Sequence, residues 1–378
     1  MFRFFILFYF CSFNAISQNI SVYTATVFDS TLTGYFFLAN LDFGIPQPLS
    51  ITSHLILDAK GDLVYYKPFP NNSLSIDFKI QPDGRISYFD ESKFYILDST
   101  FTRIDSVNCI GYETDPHDLQ ILNNGNYLLL GSEYITKNLS SYPYFHHNGS
   151  PGSDTARVQC AVIQVLDLNK NVVFEWHANN HFLFDDVYPY WLNDPNKVDW
   201  THCNSVEMDT DGNILLSTRH FNEITKINFN TGNIIWRMGG KHNQFTFIND
   251  SLTFHGQHDV RRIANGNLTF FDNGKFVSSH AARGAEYITD ETNLTATLAW
   301  SFMYAPNVSS IATGNTQRID NKSTLIDFGL RTNSTVCFTL VDSINNKLFE
   351  LSFPDSSTSY RTFYYPSLPW NLNRPEIN

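Results

Sequence analysis

Three histidines recur at the same place in three similar stretches of the chain. His117, His202 and His258 each open a segment of alternating apolar residues that reaches a Gly-Asn turn eight to ten positions later. Neutral imidazole can act as a nucleophile or carry a proton near pH 7, because its reference pKa is about 6.5. If the three stretches pack around one axis, these side chains converge on a single site.

The segment 202–220 adds groups that bind anions. Residues 209–212, Asp-Thr-Asp-Gly, have turn chemistry between two apolar arms, which predicts a β-hairpin. Antiparallel pairing about this turn places His202 opposite Arg219, to within the one-residue shift that a bulge adds. Since side chains alternate along a strand, Asn204 shares the face of His202. A histidine, an amide and a guanidinium at one open end indicate an anion site.

The three stretches belong to a longer series of self-similar units. Units of short strands begin near residues 52, 78, 117, 202, 258 and 309, which predicts an all-β fold, a six-bladed β-propeller. The first strand of each blade lines the central channel, so we expect the active site at one mouth of that channel. Residues 360–365 could return to complete the first blade. We expect N-terminal strands and a linker over 18–50 and the propeller over 51–378.

Composition fits this architecture and limits the partners. The 378 residues include 33 Phe and 19 Tyr but are only 16% charged, a balance that favours strands and tight turns. The net charge is −12 and the sequence has no basic cluster, which argues against nucleic acid as a partner.

The N-terminus has the pattern of a signal peptide. Arg3 precedes an apolar run over residues 4–13, and small residues follow at spacings that suit cleavage after Ser17 or the next residue. We therefore expect residues 1–17 to be removed and the mature protein to be periplasmic or secreted. A stable membrane anchor is the weaker alternative, because the run is about half the length of a membrane span. A lipoprotein site at Cys11 lacks the small residues that should precede it.

Cysteine usage leaves the redox question open. An exported chain meets oxidising conditions, so one disulfide is plausible among the cysteines beyond the signal segment. Their spacing has no Cys-x-x-Cys pair that would indicate zinc, and it does not choose among the three pairings. These cysteines are Cys109, Cys160, Cys203 and Cys337.

Several segments in fixed order point to a known family. They are Asp-Trp-Thr-His-Cys-Asn-Ser-Val at 199–206, Leu-Ser-Thr-Arg-His at 216–220, Gly-Asn-Ile-Ile-Trp-Arg-Met-Gly-Gly at 232–240 and Gly-Gln-His-Asp-Val-Arg-Arg at 256–262, with Val-Val-Phe-Glu-Trp at 172–176 and Phe-Asp-Asn-Gly at 271–274. In these segments the chain resembles the exported bacterial arylsulfate sulfotransferases, which do not use the nucleotide donor PAPS. The resemblance implies a six-bladed propeller and a ping-pong reaction through a sulfated histidine.

The resemblance also implies roles for individual residues. It places the nucleophile on His258, within Gly-Gln-His-Asp. His255 is a competing nucleophile or substrate-binding residue, but His258 holds the position shared with the other two histidines. The sulfuryl-binding set that the resemblance implies is His117, His202, Asn204 and Arg219. The chain is compact beside the best-known members and leaves little room for their N-terminal dimerisation domain, so its oligomeric state stays open.

The chemistry of these residues suits an aryl sulfate donor and a phenolic acceptor. A leaving phenol has a pKa of about 10 and departs readily when a histidine donates a proton to it. Arg219, a permanent cation, would hold the charged non-bridging oxygens, as in phosphoryl transfer. This scheme requires no metal and no cofactor.

Other interpretations fit the same residues. The chain could be a non-catalytic exported propeller that binds an anionic ligand, or an aryl sulfate hydrolase in which water takes the sulfuryl group. The aromatic insertion at 185–200 either roofs the channel or forms a surface loop.

Overall fold

The computed structural model describes residues 22–42, 51–69, 73–143, 145, 149–274, 280–320, 322–354 and 357–372. The expected signal segment, residues 1–17, lies outside this part of the chain and stays a prediction. Within the described residues, no helix combines the length and the apolar character needed to span a bilayer.

Strands dominate the described residues, and the helical elements are four one-turn 3₁₀ helices, Ala178–Asn180, Phe184–Asp186, Pro189–Trp191 and Arg219–Phe221. In chain order the strands are β1 (Thr24–Val27), β2 (Tyr35–Asp42), β3 (Ile51–Asp58), β4 (Leu63–Pro68), β5 (Ile76–Ile80), β6 (Ile86–Asp90), β7 (Lys93–Leu97), β8 (Arg103–Val107), β9 (Glu113–Ile121), β10 (Tyr127–Lys137), β11 (Ala156–Leu166), β12 (Val172–His177), β13 (Lys197–Asp199), β14 (Cys203–Met208), β15 (Ile214–Thr218), β16 (Glu223–Ile227), β17 (Ile234–Gly239), β18 (Thr246–Ile248), β19 (His258–Arg262), β20 (Leu268–Asp272), β21 (Arg283–Asp290), β22 (Thr295–Met303), β23 (Asn315–Ile319), β24 (Ser323–Asp327), β25 (Val336–Asp342), β26 (Lys347–Ser352) and β27 (Ser357–Tyr365).

These strands form six sheets, which are the blades of a β-propeller. From the inner edge outward they are blade 1 (β27-β2-β3-β4), blade 2 (β5-β6-β7-β8), blade 3 (β9-β10-β11-β12, with β13 beside β11), blade 4 (β14-β15-β16-β17), blade 5 (β19-β20-β21-β22-β18) and blade 6 (β23-β24-β25-β26-β1). Each innermost strand contacts the innermost strands of both neighbouring blades, so the ring is closed. The six-bladed propeller expected from the sequence is confirmed.

Segments from both ends of the chain complete the ring. β27 returns as the innermost strand of blade 1 and pairs with β2, as expected for residues 360–365. β1 pairs with the outer edge of blade 6, where Thr24 lies opposite Ser352. β1 and β2 therefore belong to the propeller. The expected boundary between residues 18–50 and 51–378 does not hold, because both of these strands lie before residue 51. The physical reason is that β27 and β3 both need β2 as their pairing partner.

Apolar side chains hold neighbouring blades together. Six clusters of buried apolar residues each fill the space between two adjacent blades. Because blades stack face to face, both faces of a strand are covered, and every residue of β15 is buried. Full burial of one large apolar side chain stabilises the fold by roughly 1.5–3 kcal/mol. The frequent Phe and Tyr thus serve mainly as packing between blades.

The hairpin of β14 and β15 matches its prediction closely. The backbone N–H of Asp209 donates to Asn213 O at 2.7 Å, and Gly212 has the left-handed φ of 80° that the turn requires. At the open end, Arg219 N donates to His202 O at 3.2 Å, so these two residues are opposite each other. A register shift between Cys203 and Ser205 supplies the anticipated bulge.

Ion pairs connect the inner strands along the channel. Asp118 lies between Lys79 Nζ at 2.7 Å and Arg261 Nη2 at 2.8 Å, and Arg361 Nη1 bonds Asp77 Oδ1 at 2.8 Å. The side chains of Asp118 and Arg361 are at most 1% exposed. The full network comprises Asp77, Asp118, Asp259, Lys79, Arg261 and Arg361. Asp118 and Asp259, which directly follow two of the histidines, thus serve the connection between blades.

The disulfide expected of an exported chain does not form among the described residues. Cys109, Cys160, Cys203 and Cys337 are all free and buried. They lie apart in the fold, Cys109 in the connection between β8 and β9 and the others in three different blades.

Candidate active site

Irregular backbone aims the three histidines at one end of the channel. His117 lies in β9, His202 directly precedes β14, and His258 begins β19. Each of these strands shifts its pairing register at or next to its histidine. His202 and Asp259 also have left-handed φ angles of 45° and 57°. A bulge bends the strand and changes the direction of its side chains. These irregularities therefore give the three imidazoles directions that regular strand pairing would not.

His117 and His202 face each other, and each has a carboxylate at its Nδ1. Their ring centroids lie 5.1 Å apart, with the rings inclined at 73°. His117 Nδ1 lies 2.6 Å from Asp115 Oδ1, and His202 Nδ1 lies 2.5 Å from Asp199 Oδ2. An ionised carboxylate can only accept a hydrogen bond, so Nδ1 carries the proton in both rings. Burial lowers the pKa of His202, although Asp199 acts in the opposite direction.

Arg219 is a buried cation without a carboxylate partner within the described part of the chain. Its side chain lies in the turn after β15, and the residue is 8% exposed. Nη2 donates to Ile311 O at 2.7 Å, whereas Nε has no hydrogen-bond partner. Burial lowers the pKa of the guanidinium from 12.5 to about 10. A desolvated, incompletely bonded cation of this kind is complementary to an anion.

The aromatic insertion covers this cation. The ring of Trp191 lies 4.1 Å from the Arg219 guanidinium carbon and stacks on His220 at 4.2 Å. His220 stacks in turn on His202 at 4.6 Å. The insertion therefore roofs the site, which was one of the two interpretations that the sequence left open.

His258 is held as a neutral imidazole with a defined tautomer. Nδ1 lies 2.7 Å from Asn273 Oδ1 and 2.9 Å from Gly256 O. The Asn273 amide N–H groups donate to Ser310 Oγ and Thr313 O, which fixes its oxygen toward His258. Nδ1 therefore carries the proton, and Nε2 has the lone pair. Burial, followed by the charge of Arg219, holds the pKa of His258 well below its usual value.

One connection, between β22 and β23, touches both His258 and Arg219. The backbone N–H of Thr313 donates to His258 Nε2 at 3.1 Å, and Ile311 O accepts from Arg219. The two side chains thus converge on residues 311–313. His202 and His117, when charged, also lower the pKa of His258.

Asn204 and His255 are not part of the group formed by Arg219 and the three histidines. Asn204 is fully buried, and its Nδ2 donates to Gln257 O at 2.7 Å, so the amide joins β14 to the residue before His258. The His255 ring lies 6.1 Å from that of His280, and burial lowers its pKa. The structure thus groups His258, rather than His255, with the other site histidines. Their catalytic roles stay predictions.

A cavity of about 160 Å³ opens beside the paired histidines. Its polar lining residues include Asp115, His117, Ser132, Gln159, Asp199 and His202. For comparison, an engineered apolar cavity of about 150 Å³ accommodates benzene. The cavity therefore has room for one aromatic ring next to the imidazoles.

The arrangement suits an anion better than a metal ion. Asp199, His202 and His220 present donor atoms within 4.8 Å of one another. However, both imidazoles already use Nδ1 in hydrogen bonds to Asp199. Arg219 Nη1 also lies 3.4 Å from His220 Nε2, and its positive charge opposes a second cation there.

Sequence reasoning missed several groups that position this site. Asp115 and Asp199 precede their histidines by two and three residues, a spacing that was visible in the sequence. Asn273 belongs to a segment that was noted only as a family feature. Contacts from Trp191 and Thr313 come from connections outside the repeated strands, so no periodic pattern could reveal them.

A family model described as "Arylsulfotransferase (ASST)" matches residues 50–361, which is most of the chain. The chain belongs to the arylsulfotransferase family. Membership in the arylsulfotransferases supports arylsulfotransferase activity in general terms and aryl compounds of low molecular mass as substrates. The family resemblance noted in the sequence is confirmed. No curated protein matches the chain.

Solved structures similar to this chain have low sequence identity to it, so they bear on no property beyond the fold. A protein of unknown function from Bacteroides caccae is 10% identical, with a TM-score of 0.53, covering 89% of this chain and 100% of its own. A putative 6-phosphogluconolactonase from Bacteroides fragilis NCTC 9343 is 11% identical, with a TM-score of 0.46, covering 89% and 99%. A Myceliophteria thermophila Cps50 (Swd1) β-propeller domain is 10% identical, with a TM-score of 0.43, covering 88% and 90%.

Proposed function

We propose that this protein transfers a sulfuryl group from an aryl sulfate to a phenolic acceptor in a ping-pong reaction, with His258 as the group that is sulfated. The observation that carries the proposal is the environment of Arg219. Its side chain is 8% exposed, and its Nε has no hydrogen-bond partner. Among the described residues, no carboxylate pairs with this cation. A sulfuryl group brings the negative charge that this guanidinium lacks, and it carries oxygens that can accept from Nε.

The first half-reaction uses the neutral form of His258. Its Nε2 lone pair attacks sulfur, the S–N bond forms, and the bond from sulfur to the aryl oxygen breaks. Asn273 keeps the proton on Nδ1, so Nε2 is available in the tautomer that attack requires. Nε2 accepts a hydrogen bond from Thr313 N, and the reaction requires that it exchange this bond for the sulfur atom.

The second half-reaction returns the enzyme to its starting state. A phenol oxygen attacks the sulfur of sulfated His258, and the nitrogen recovers its lone pair. Arg219 holds the non-bridging oxygens in both halves, as cations do in phosphoryl transfer. The covering by Trp191 lowers the access of water to Arg219, which strengthens the electrostatic interaction with the anion.

The experiment is to compare His258→Asn with His255→Asn. With a chromogenic aryl sulfate and a second phenol, His258→Asn should lower the rate of transfer by roughly 10⁴-fold or more, because no nucleophile remains. Wild-type protein incubated with donor alone should gain the mass of one sulfuryl group on the peptide that contains His258. Circular dichroism would establish that each variant is folded.

The alternatives give different results. Turnover retained by His258→Asn but lost by His255→Asn would move the nucleophile to His255. Release of the chromophore at a rate that added phenol does not change, with no sulfated acceptor, would indicate a hydrolase. Binding of the aryl sulfate without release would indicate a non-catalytic propeller.

A further inference from the structure

The site histidines differ in the group that holds Nδ1, and this difference assigns a role to Asp199. We propose that Asp199 is a positioning residue that makes His202 the proton carrier in sulfuryl transfer. This inference rests on the function proposed above. It concerns a residue that does not touch the transferred group and that acts only through the imidazole.

The contrast is between a carboxylate and a neutral acceptor. His258 Nδ1 bonds the Asn273 amide oxygen and the Gly256 carbonyl, whereas His202 Nδ1 bonds the Asp199 carboxylate. A carboxylate at Nδ1 stabilises the imidazolium that forms when Nε2 takes a proton, and a neutral oxygen does so much less. His258 is therefore suited to attack as a neutral base, and His202 is suited to carry a proton.

Asp199 also organises a second ring. Its carboxylate bonds His202, and its backbone carbonyl accepts from His220 Nδ1 at 2.7 Å. The ring of His202 stacks on His220 and meets His117 edge to face, so its orientation is fixed from both sides. Among the described residues, Asp115 instead bonds the side chain and the backbone N–H of its own neighbour His117. His202 is thus the imidazole that contacts both His117 and His220, and the Asp199 side chain bonded to it is 43% exposed.

The positive charges around His202 make the Asp199 carboxylate necessary for a proton on this ring. Arg219 and His220 approach it from the turn after β15, His117 from β9 and His258 from β19. Each of these groups is cationic or becomes so on protonation. Asp199 is the one carboxylate bonded to His202 among the described residues, with Asp115 held behind His117. Without Asp199, a proton on His202 would face Arg219 uncompensated.

The proton balance of the reaction follows. Before transfer, His202 Nε2 takes up a proton, and Asp199 stabilises the resulting imidazolium against the effect of burial. As His258 Nε2 bonds to sulfur and the aryl S–O bond breaks, the leaving oxygen takes this proton from His202 Nε2. The product is a neutral phenol and a neutral His202. In the second half, His202 Nε2 takes the proton of the acceptor phenol while its oxygen attacks sulfur and the S–N bond breaks. His202 and Asp199 line the cavity beside the paired histidines, which offers space for the phenol next to this proton carrier.

The first test compares donors with different leaving phenols in Asp199→Asn. With phenyl sulfate, whose phenol has a pKa of about 10, kcat should fall by roughly 10²-fold or more, the usual contribution of general acid catalysis. With 4-nitrophenyl sulfate, whose phenol is more acidic and needs less help to leave, the loss should be under about 10-fold. KM should change little, and Asp199→Glu should restore part of the rate. An equal loss with both donors would show a merely structural role and overturn the inference.

The second test does not depend on turnover. Nuclear magnetic resonance of the ¹⁵N-labelled histidines would follow the titration of His202 in wild type, Asp199→Asn and Asp115→Asn. Removing the Asp199 charge should move the His202 titration to lower pH, whereas Asp115→Asn, which removes the carboxylate bonded to His117, should leave the His202 titration in place. An unchanged His202 titration in Asp199→Asn would refute the inference.

The two tests separate the two proposals. If the titration moves but wild type transfers no sulfuryl group, the proposed function fails, and with it the role of His202 in transfer, while the effect of Asp199 on the imidazole stands. If wild type transfers the group and Asp199→Asn is affected equally for both donors, the function stands and the role of Asp199 fails.

Discussion

Replacing Arg219 with methionine should raise stability and lower activity at the same time. The side chain is 8% exposed, its Nε is unbonded, and it has no ion-pair partner in the described part of the chain. Methionine has a similar length and no charge, so it fills the same space beneath Trp191 without the cost of burying a cation. Opposite changes in stability and rate are the expected signature of a charge kept for binding.

The size of the stability change follows from the environment of the guanidinium. Burial lowers its pKa from 12.5 to about 10. Since a difference of one in pKa is worth about 1.36 kcal/mol, the buried charge costs the fold about 3 kcal/mol. Loss of the hydrogen bond to Ile311 O costs about 1 kcal/mol, and the carbonyl then needs another partner, so the net gain should be about 1–2 kcal/mol. The cost is present at every pH below about 10, so the gain should not vary across neutral pH.

The size of the rate change follows from transition-state binding. Removing one well-placed donor to a developing anion typically lowers kcat by about 10²–10³-fold. The assay would compare transfer rates for Arg219→Met and wild type, with urea unfolding of both. Inorganic sulfate should also stabilise wild type, by about 2.7 kcal/mol at a hundred times its Kd, and should not stabilise the variant.

Arg318→Met provides the matched control. This arginine is also largely buried but is paired with Glu286, its Nε donating at 2.8 Å. Breaking a buried pair destabilises by roughly 3–5 kcal/mol, so this variant should lose stability and keep its rate. If Arg219→Met is destabilised in the same way, or if sulfate protects it as well as wild type, Arg219 is not an anion site and the reasoning fails.

Two further predictions concern the fold. Arg361→Met should destabilise it by roughly 3–5 kcal/mol in urea unfolding, because it leaves buried carboxylates such as Asp77 uncompensated; an unchanged unfolding midpoint would contradict a structural role for the channel network. Burial raises the pKa of Asp327 from 3.8 to about 6, so its contribution is favourable below pH 3.8 and is lost as pH rises through about 6. Asp327→Asn should therefore be the more stable protein above pH 6 by up to about 3 kcal/mol, and unfolding curves that show no difference between pH 4 and pH 7 would refute this.

The repeat pattern was sufficient to predict the propeller. Alternating apolar residues and Gly-containing turns recur in each blade, and burial on both faces follows from the stacking of blades. The mispredicted boundary at residue 51 has a clear cause. β2 is the second strand of a blade whose first strand, β27, comes from the far end of the sequence. The return of residues 360–365 was expected, but no local pattern in the sequence marks β2, more than 300 residues away, as the strand with which they pair.

The site was predictable where it lies on repeated strands. His117, His202 and His258 lie in or directly beside the inner strands of three neighbouring blades, and the position of Arg219 followed from the hairpin register. The covering by Trp191 and the contacts of residues 311–313 were not predictable, because connecting segments follow no period. The predicted anion set is brought together, with Asn204 placed as a contact between strands.

The ion-pair partners of the arginines along the channel explain why the proposed sulfuryl-binding site lies at the mouth of the channel. Arg261 and Arg361 have the same charge as Arg219, but buried aspartates neutralise both, so they connect inner strands. At the mouth the carboxylates are bonded to the Nδ1 atoms of His117 and His202, away from the Nε2 edges of these rings. A carboxylate on the Nε2 side would occupy Arg219 and repel the sulfuryl group. The amide partner of His258 avoids the same conflict, because Asn273 fixes the tautomer without adding negative charge.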